Sequence, residues 1–108
     1  MTILEKIQKN HENCLDNPSL LSEYLLTLSE YILKAEEEKT LAEVAYTRKW
    51  IEKRKEVESD KQADMSMKLE EEFIELRSKE AMSKTLLETI RSAKKRLAFL
   101  ASEYHENL

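Results

Sequence analysis

The string Glu71-Glu72-Phe73-Ile74-Glu75 has the most chemically suggestive spacing in the chain. An EExxE pattern on a helix sets carboxylates one turn apart, and oxygen donors so placed can clamp a hard cation such as Mg²⁺. A second kind of chemistry is suggested by Arg48-Lys49-Trp50-Ile51-Glu52-Lys53-Arg54-Lys55, where five cations accompany a tryptophan. Cations that hold phosphates beside an aromatic on which a base can stack are the parts of a nucleic-acid site. Arg91, Lys94, Lys95 and Arg96 form a second basic cluster. Softer-metal ligands are scarce: His11, Cys14 and His105 complete the inventory. His11 and Cys14 can share a helix face, but two ligands do not make a zinc site. Cys14 has no third catalytic group nearby, and a chain without glycine has neither a phosphate-cradling loop nor a nucleophile elbow.

Each constellation has a plainer structural reading. All-α nucleotide pyrophosphatases bind Mg²⁺ through an EExxE string followed by an ExxD motif. The chain resembles them only in the first half of that signature, because its last aspartate, Asp64, precedes the string. A Glu-rich helix produces EExxE by composition alone, so a solvated, charge-paired face is the preferred reading. A Mg²⁺-dependent nucleotide pyrophosphohydrolase using Glu71, Glu72 and Glu75 ranks third among the functional readings. In the basic region, Glu52 and Glu56 interrupt the cations, and the net charge is −4. The preferred reading there is a salt-bridged helix face with Trp50 in the core. Nucleic-acid contact through Arg48, Lys49, Trp50, Lys53, Arg54, Arg91, Lys94 and Lys95 is the alternative.

The elements that must position these groups are helices. The 108 residues include no glycine, one proline and 37% charged side chains rich in Glu and Lys, so little in the chain can turn. A single helical domain is expected over 1–108, with a short N-terminal helix and turn in 1–16 and long helices in 17–58 and 59–108. The first helix, about Thr2 to Asn13, puts Ile3, Leu4 and Ile7 on one face. Asn17 then caps a helix that Pro18 opens and that runs to about Val57. Its apolar face follows Leu21, Leu25, Leu28, Ile32, Ala35, Ala42, Tyr46 and Trp50. Ser59 with Gln62 three residues later is a capping-box pattern, opening a last helix from about Asp60 to Tyr104. Residues 77–85 hold only Ala81 and Met82 as apolar side chains, so a kink or fraying is expected there.

Folding back at Ser59 places opposite one another residues whose numbers add to about 118. Basic residues 48–55 then meet Asp64, Glu70, Glu71 and Glu72, while Glu36, Glu37 and Glu38 meet Lys79 and Lys84. The leucine-rich stretches 20–33 and 86–100 also meet. The expected fold is therefore an all-α antiparallel hairpin of long helices, completed into a bundle by oligomerisation. Leucines cover more than half the circumference of each helix, so a homo-oligomer, a dimer or higher, is expected. Its contact is expected through Leu21, Tyr24, Leu25, Leu28, Leu86, Ile90, Leu97 and Leu100. Tyr24, Tyr31 and Tyr46 read as rim packing or as an interface for protein.

A lone cysteine fits a reducing compartment, residues 1–7 do not read as a signal peptide, and no segment approaches the ~20 apolar residues of a transmembrane helix. The expectation is a cytoplasmic protein without cofactor or membrane partner.

Ser59-Asp60-Lys61-Gln62-Ala63-Asp64, followed by the helix ending Leu86-Leu87-Glu88-Thr89-Ile90-Arg91-Ser92-Ala93-Lys94-Lys95-Arg96-Leu97, resembles small all-helical proteins encoded by bacteriophages. These carry an S-D-K-x-A-D string between two long helices and a final leucine-rich helix punctuated by Lys and Arg. The similarity covers roughly residues 18–105. It implies a phage accessory protein in the bacterial cytoplasm, and it carries over no functional residue. Together these readings point to a non-enzymatic helical protein that binds a host or phage macromolecule.

Overall fold

In the computed structural model of the chain, residues 5, 6, 9 and 16–106 are described, the last three by backbone alone. Between residues 16 and 106 the chain forms three α-helices: α1 (Pro18–Glu56), α2 (Asp60–Met67) and α3 (Glu71–Glu106). There is no strand among the described residues. The protein is an all-α helical hairpin. Of the expected N-terminal helix, Glu5, Lys6 and Lys9 are helical and exposed, whereas Ile3, Leu4 and Ile7 lie outside the described residues.

Helix α1 begins as its sequence predicts. The Asn17 side-chain oxygen accepts from the backbone N–H of Ser19 and Leu20, both at 3.1 Å, and its carbonyl accepts from Leu21 at 2.9 Å. Pro18 takes the first helical position, where an N–H is not needed. The break after Glu56 also falls where expected. Ser59 is extended (φ −144°, ψ 159°), and its hydroxyl accepts from Gln62 N–H at 3.2 Å. The Gln62 side chain reaches back to Glu58 N–H, 2.9 Å away. That reciprocal cap starts α2 without glycine.

Two expectations about the last helix are corrected. It is not one element from Asp60, because Lys68, Leu69 and Glu70 interrupt it. Lys68 N–H turns to Met65 carbonyl (3.3 Å) and Glu70 N–H to Met67 carbonyl (2.9 Å), and no described residue has positive φ. The break needs no special residue: it buries Ala63 and Met67 completely and leaves Leu69 93% exposed. Nor does the helix fray at 77–85, where α3 is continuous. Lys79 and Ser83, two of the polar residues of that stretch, are held by carboxylates of α1.

Two compact units divide the chain, one of Met1–Leu33 with Thr85–Leu108 and one of Lys34–Lys84. In the first, the seam is apolar: Leu21, Tyr24 and Leu28 from α1 and Leu86, Ile90 and Ala93 from α3 are buried. In the second, the chain reverses through α2, and the seam is built from Ala35, Ala42, Ala63 and Met67. Its helices run antiparallel in the expected register. Glu38 meets Lys79, Glu36 meets Ser83 and Tyr46 meets Phe73, so each pair of numbers adds to within one of 118.

Candidate functional site

The basic region of 48–55 is largely committed to carboxylates within its own unit. Lys53 Nζ pairs with Glu70 at 3.0 Å, and Lys49 lies 3.8 Å from Glu52. Arg54 donates through Nε to Asp60 at 2.8 Å and through Nη1 to the Val57 carbonyl at 2.9 Å, tying the end of α1 to the start of α2. Trp50 is half-buried, and its indole Nε1 donates to Asp64 Oδ1 at 2.7 Å. A ring held in this way at the hairpin's turn is a structural clasp, neither the full core residue expected nor an open stacking platform. Arg48 and Lys55 point into solvent. So do Arg91, Lys94 and Lys95 of the other unit, where Arg96 pairs with Asp16 and lies 5.2 Å from the centroid of the Phe99 ring.

The electrostatics of the second unit follow from these pairs. Glu70 is held below the usual carboxylate value, first by its hydrogen bond from Lys53 and then by that residue's charge. Lys53 is pushed up by the same bond. Glu36 is lowered first by the Ser83 hydroxyl and then by Lys39, 3.2 Å away. The Glu38 hydrogen bond raises Lys79, which also lies 3.6 Å from Glu75. Burial raises Tyr46, with a smaller push from the charge of Asp64. The carboxylate and lysine shifts belong to hydrogen-bonded or paired charges on helix faces, and all these groups keep their ordinary protonation at neutral pH.

Glu71, Glu72 and Glu75 line, with Ala42 and Ala45, an open depression of about 190 Å³. Glu71 and Glu72 occupy the first turn of α3, where the exposed backbone N–H groups favour negative charge. The helix start therefore accounts for two of the three carboxylates. Among the described residues, no three or more His, Cys, Asp or Glu side chains are placed to hold a metal ion. His11, Cys14 and the His105 side chain lie outside what is described.

The residues expected to mediate self-association are used within the chain. Leu21, Tyr24, Leu28, Leu86 and Ile90 are buried in the seam of the first unit, and Leu25, Leu97 and Leu100 are half-buried beside it. The large apolar residues left outside include Leu26, Leu33 and Leu41, each 70% exposed, with Leu69, Ile74 and Phe99. Leu26, Leu33 and Phe99 lie within the leucine-rich stretches 20–33 and 86–100, whereas sequence reasoning gave Leu41 and Ile74 no role. The heptad steps Leu26 to Leu33 and Val44 to Ile51 were the available signal. Ser83, the one buried polar residue among those described, was missed because no local pattern marks it.

No helix among the described residues is long and apolar enough to cross a membrane. No family model, no curated protein and no solved structure matches the chain.

Proposed function

We propose that this chain is a non-enzymatic helical interaction protein that self-associates and binds another macromolecule in the bacterial cytoplasm. The observation that supports this reading is the apolar surface outside the seams: Leu26, Leu33, Leu41, Leu69 and Ile74 are all at least 61% exposed. Large apolar side chains left exposed in each unit are candidate contact sites. The likeness to phage-encoded helical proteins adds a host or phage macromolecule as the partner. The test is affinity capture from bacterial lysate with the natural chain and with a Leu41→Ser, Leu69→Ser variant. The proposal expects a partner retained by the first and lost by the second. Equal capture by both, or capture by neither, contradicts it.

A nucleic-acid-binding role is the second reading, supported by the solvent-directed Arg48, Arg91, Lys94 and Lys95. It ranks lower because Lys53, Arg54 and Trp50 are engaged with carboxylates. A shift assay at ~50 mM salt, where phosphate contacts are strongest, tests it. Micromolar binding lost on reversing Arg91, Lys94 and Lys95 to Glu would promote it to first place.

A further inference from the structure

Helix α1 is apolar on two faces, and only one of them is covered by the chain itself. Leu28, Ala35 and Ala42 are buried, while Leu26, Leu33 and Val44, each two positions away, are exposed. Two positions on an α-helix are about 200° of rotation, so the exposed set lies opposite the seam.

In the first unit this outer face reads Glu23, Leu26, Glu30, Leu33, and in the second it reads Val44, Arg48, Ile51, Lys55. All eight residues belong to the single helix α1 and all are exposed. The first stretch alternates leucine with acid, and the second alternates β-branched residues with base. Among the described residues, Glu23, Glu30, Arg48 and Lys55 enter no ion pair, whereas Lys53, on the covered side of α1, is paired with Glu70.

The two stretches are complementary when one is reversed. Opposite chain directions set Leu26 against Ile51 and Leu33 against Val44. The same register sets Glu30 against Arg48 and Glu23 against Lys55. A parallel alignment would set acid on acid and base on base. We infer that the outer face of α1 is a self-recognition surface on which a second copy of this chain docks antiparallel, the 23–33 stretch of each copy on the 44–55 stretch of the other. The contact is isologous, so two copies close it completely and no edge is left for further growth. Charged residues between apolar ones set direction and register, as polar positions do in helix pairs. The inference rests on the self-association proposed above and names its surface, which differs from the leucine seam expected from sequence.

The test uses two charge-reversal variants and sedimentation equilibrium at tens of micromolar chain. Glu23→Lys with Glu30→Lys makes the 23–33 stretch basic like 44–55, and Arg48→Glu with Lys55→Glu makes the 44–55 stretch acidic like 23–33. The natural chain is expected at twice its 12.8 kDa mass, and each variant alone at the monomer mass. An equimolar mixture of the two variants is expected to return to the doubled mass, because each then meets its opposite. All four positions are exposed, and an unchanged helical circular dichroism spectrum confirms that each variant folds. A monomeric natural chain overturns both this inference and the proposed self-association. A natural dimer that either variant leaves intact, or that the mixture fails to restore, overturns the α1 surface alone.

Discussion

The two units solve the same problem, a seam between antiparallel helices, with different side chains. In Met1–Leu33 with Thr85–Leu108, large apolar residues fill it: Leu21, Tyr24, Leu28, Leu86 and Ile90. In Lys34–Lys84 the buried positions of α1 shrink to Ala35 and Ala42, and polar contacts flank them: Glu36 with Ser83, Glu38 with Lys79, Lys53 with Glu70. Burial of a leucine is worth ~1.5–3 kcal/mol and is indifferent to register among similar neighbours. An exposed ion pair is worth ~0–1 kcal/mol but is satisfied in one register only. One unit therefore supplies stability, and the other fixes which residue faces which.

The largest expected effect lies in the leucine seam. Leu28→Ala should destabilise the protein by ~2–5 kcal/mol, because a fully buried side chain leaves a cavity. Urea unfolding followed by circular dichroism measures this, and a loss well below that range would mean the seam is loosely packed. Next is the opposite change in the other unit. Ala63, fully buried on α2, has no room for growth, and Ala63→Leu should cost ~1–3 kcal/mol by overpacking. If that substitution stabilises the chain, the unit is underpacked and the contrast between the two weakens. Ser83→Ala should cost about 1 kcal/mol through the lost hydrogen bond to Glu36, which stays near enough to solvent to be hydrated.

The smallest effect is a dependence on pH confined to Lys34–Lys84. Glu36 and Glu70 titrate below the ordinary 4.5 in the folded chain, so their contribution is complete above that value and fades as pH falls through the lowered ones. Lys53 and Lys79 titrate above the ordinary 10.5, so theirs is complete below 10.5 and fades as pH rises further. A plateau between those limits with a decline on each side is expected in urea midpoints. Lys53→Met with Lys79→Met should flatten the alkaline decline and lessen the acid one, leaving the part set by Glu36 with Ser83 and Lys39.

Much of this fold was legible because it follows local rules. Asn17 and Pro18 announce the start of α1, Ser59 and Gln62 the start of α2, and the charge blocks give the register that Glu38 and Lys79 realise. The break at Lys68–Glu70 was not legible, since it arises when Ala63 and Met67 turn inward rather than from any turn-forming residue. Residues 77–85 misled for the converse reason. Their scarcity of apolar side chains reads as weakness until Lys79 and Ser83 meet the acids of α1. At the candidate site, the basic string was visible but its neutralisation by Asp60, Asp64 and Glu70 depends on the fold. That Leu21, Leu28 and Ile90 are buried within the chain was not legible either, because periodicity shows that a face is apolar, not which of two apolar faces the chain covers itself.

Residue-resolved hydrogen exchange, corrected for intrinsic rates, tests most directly whether stability and register are divided between the two units. At neutral pH, amides of 21–33 and 86–97 should be better protected than those of 35–53 and 72–84. The gap should widen at about pH 3, where carboxylates are substantially protonated. Equal protection of the two sets, or an acid loss that falls first on the leucine-lined helices, would contradict the account.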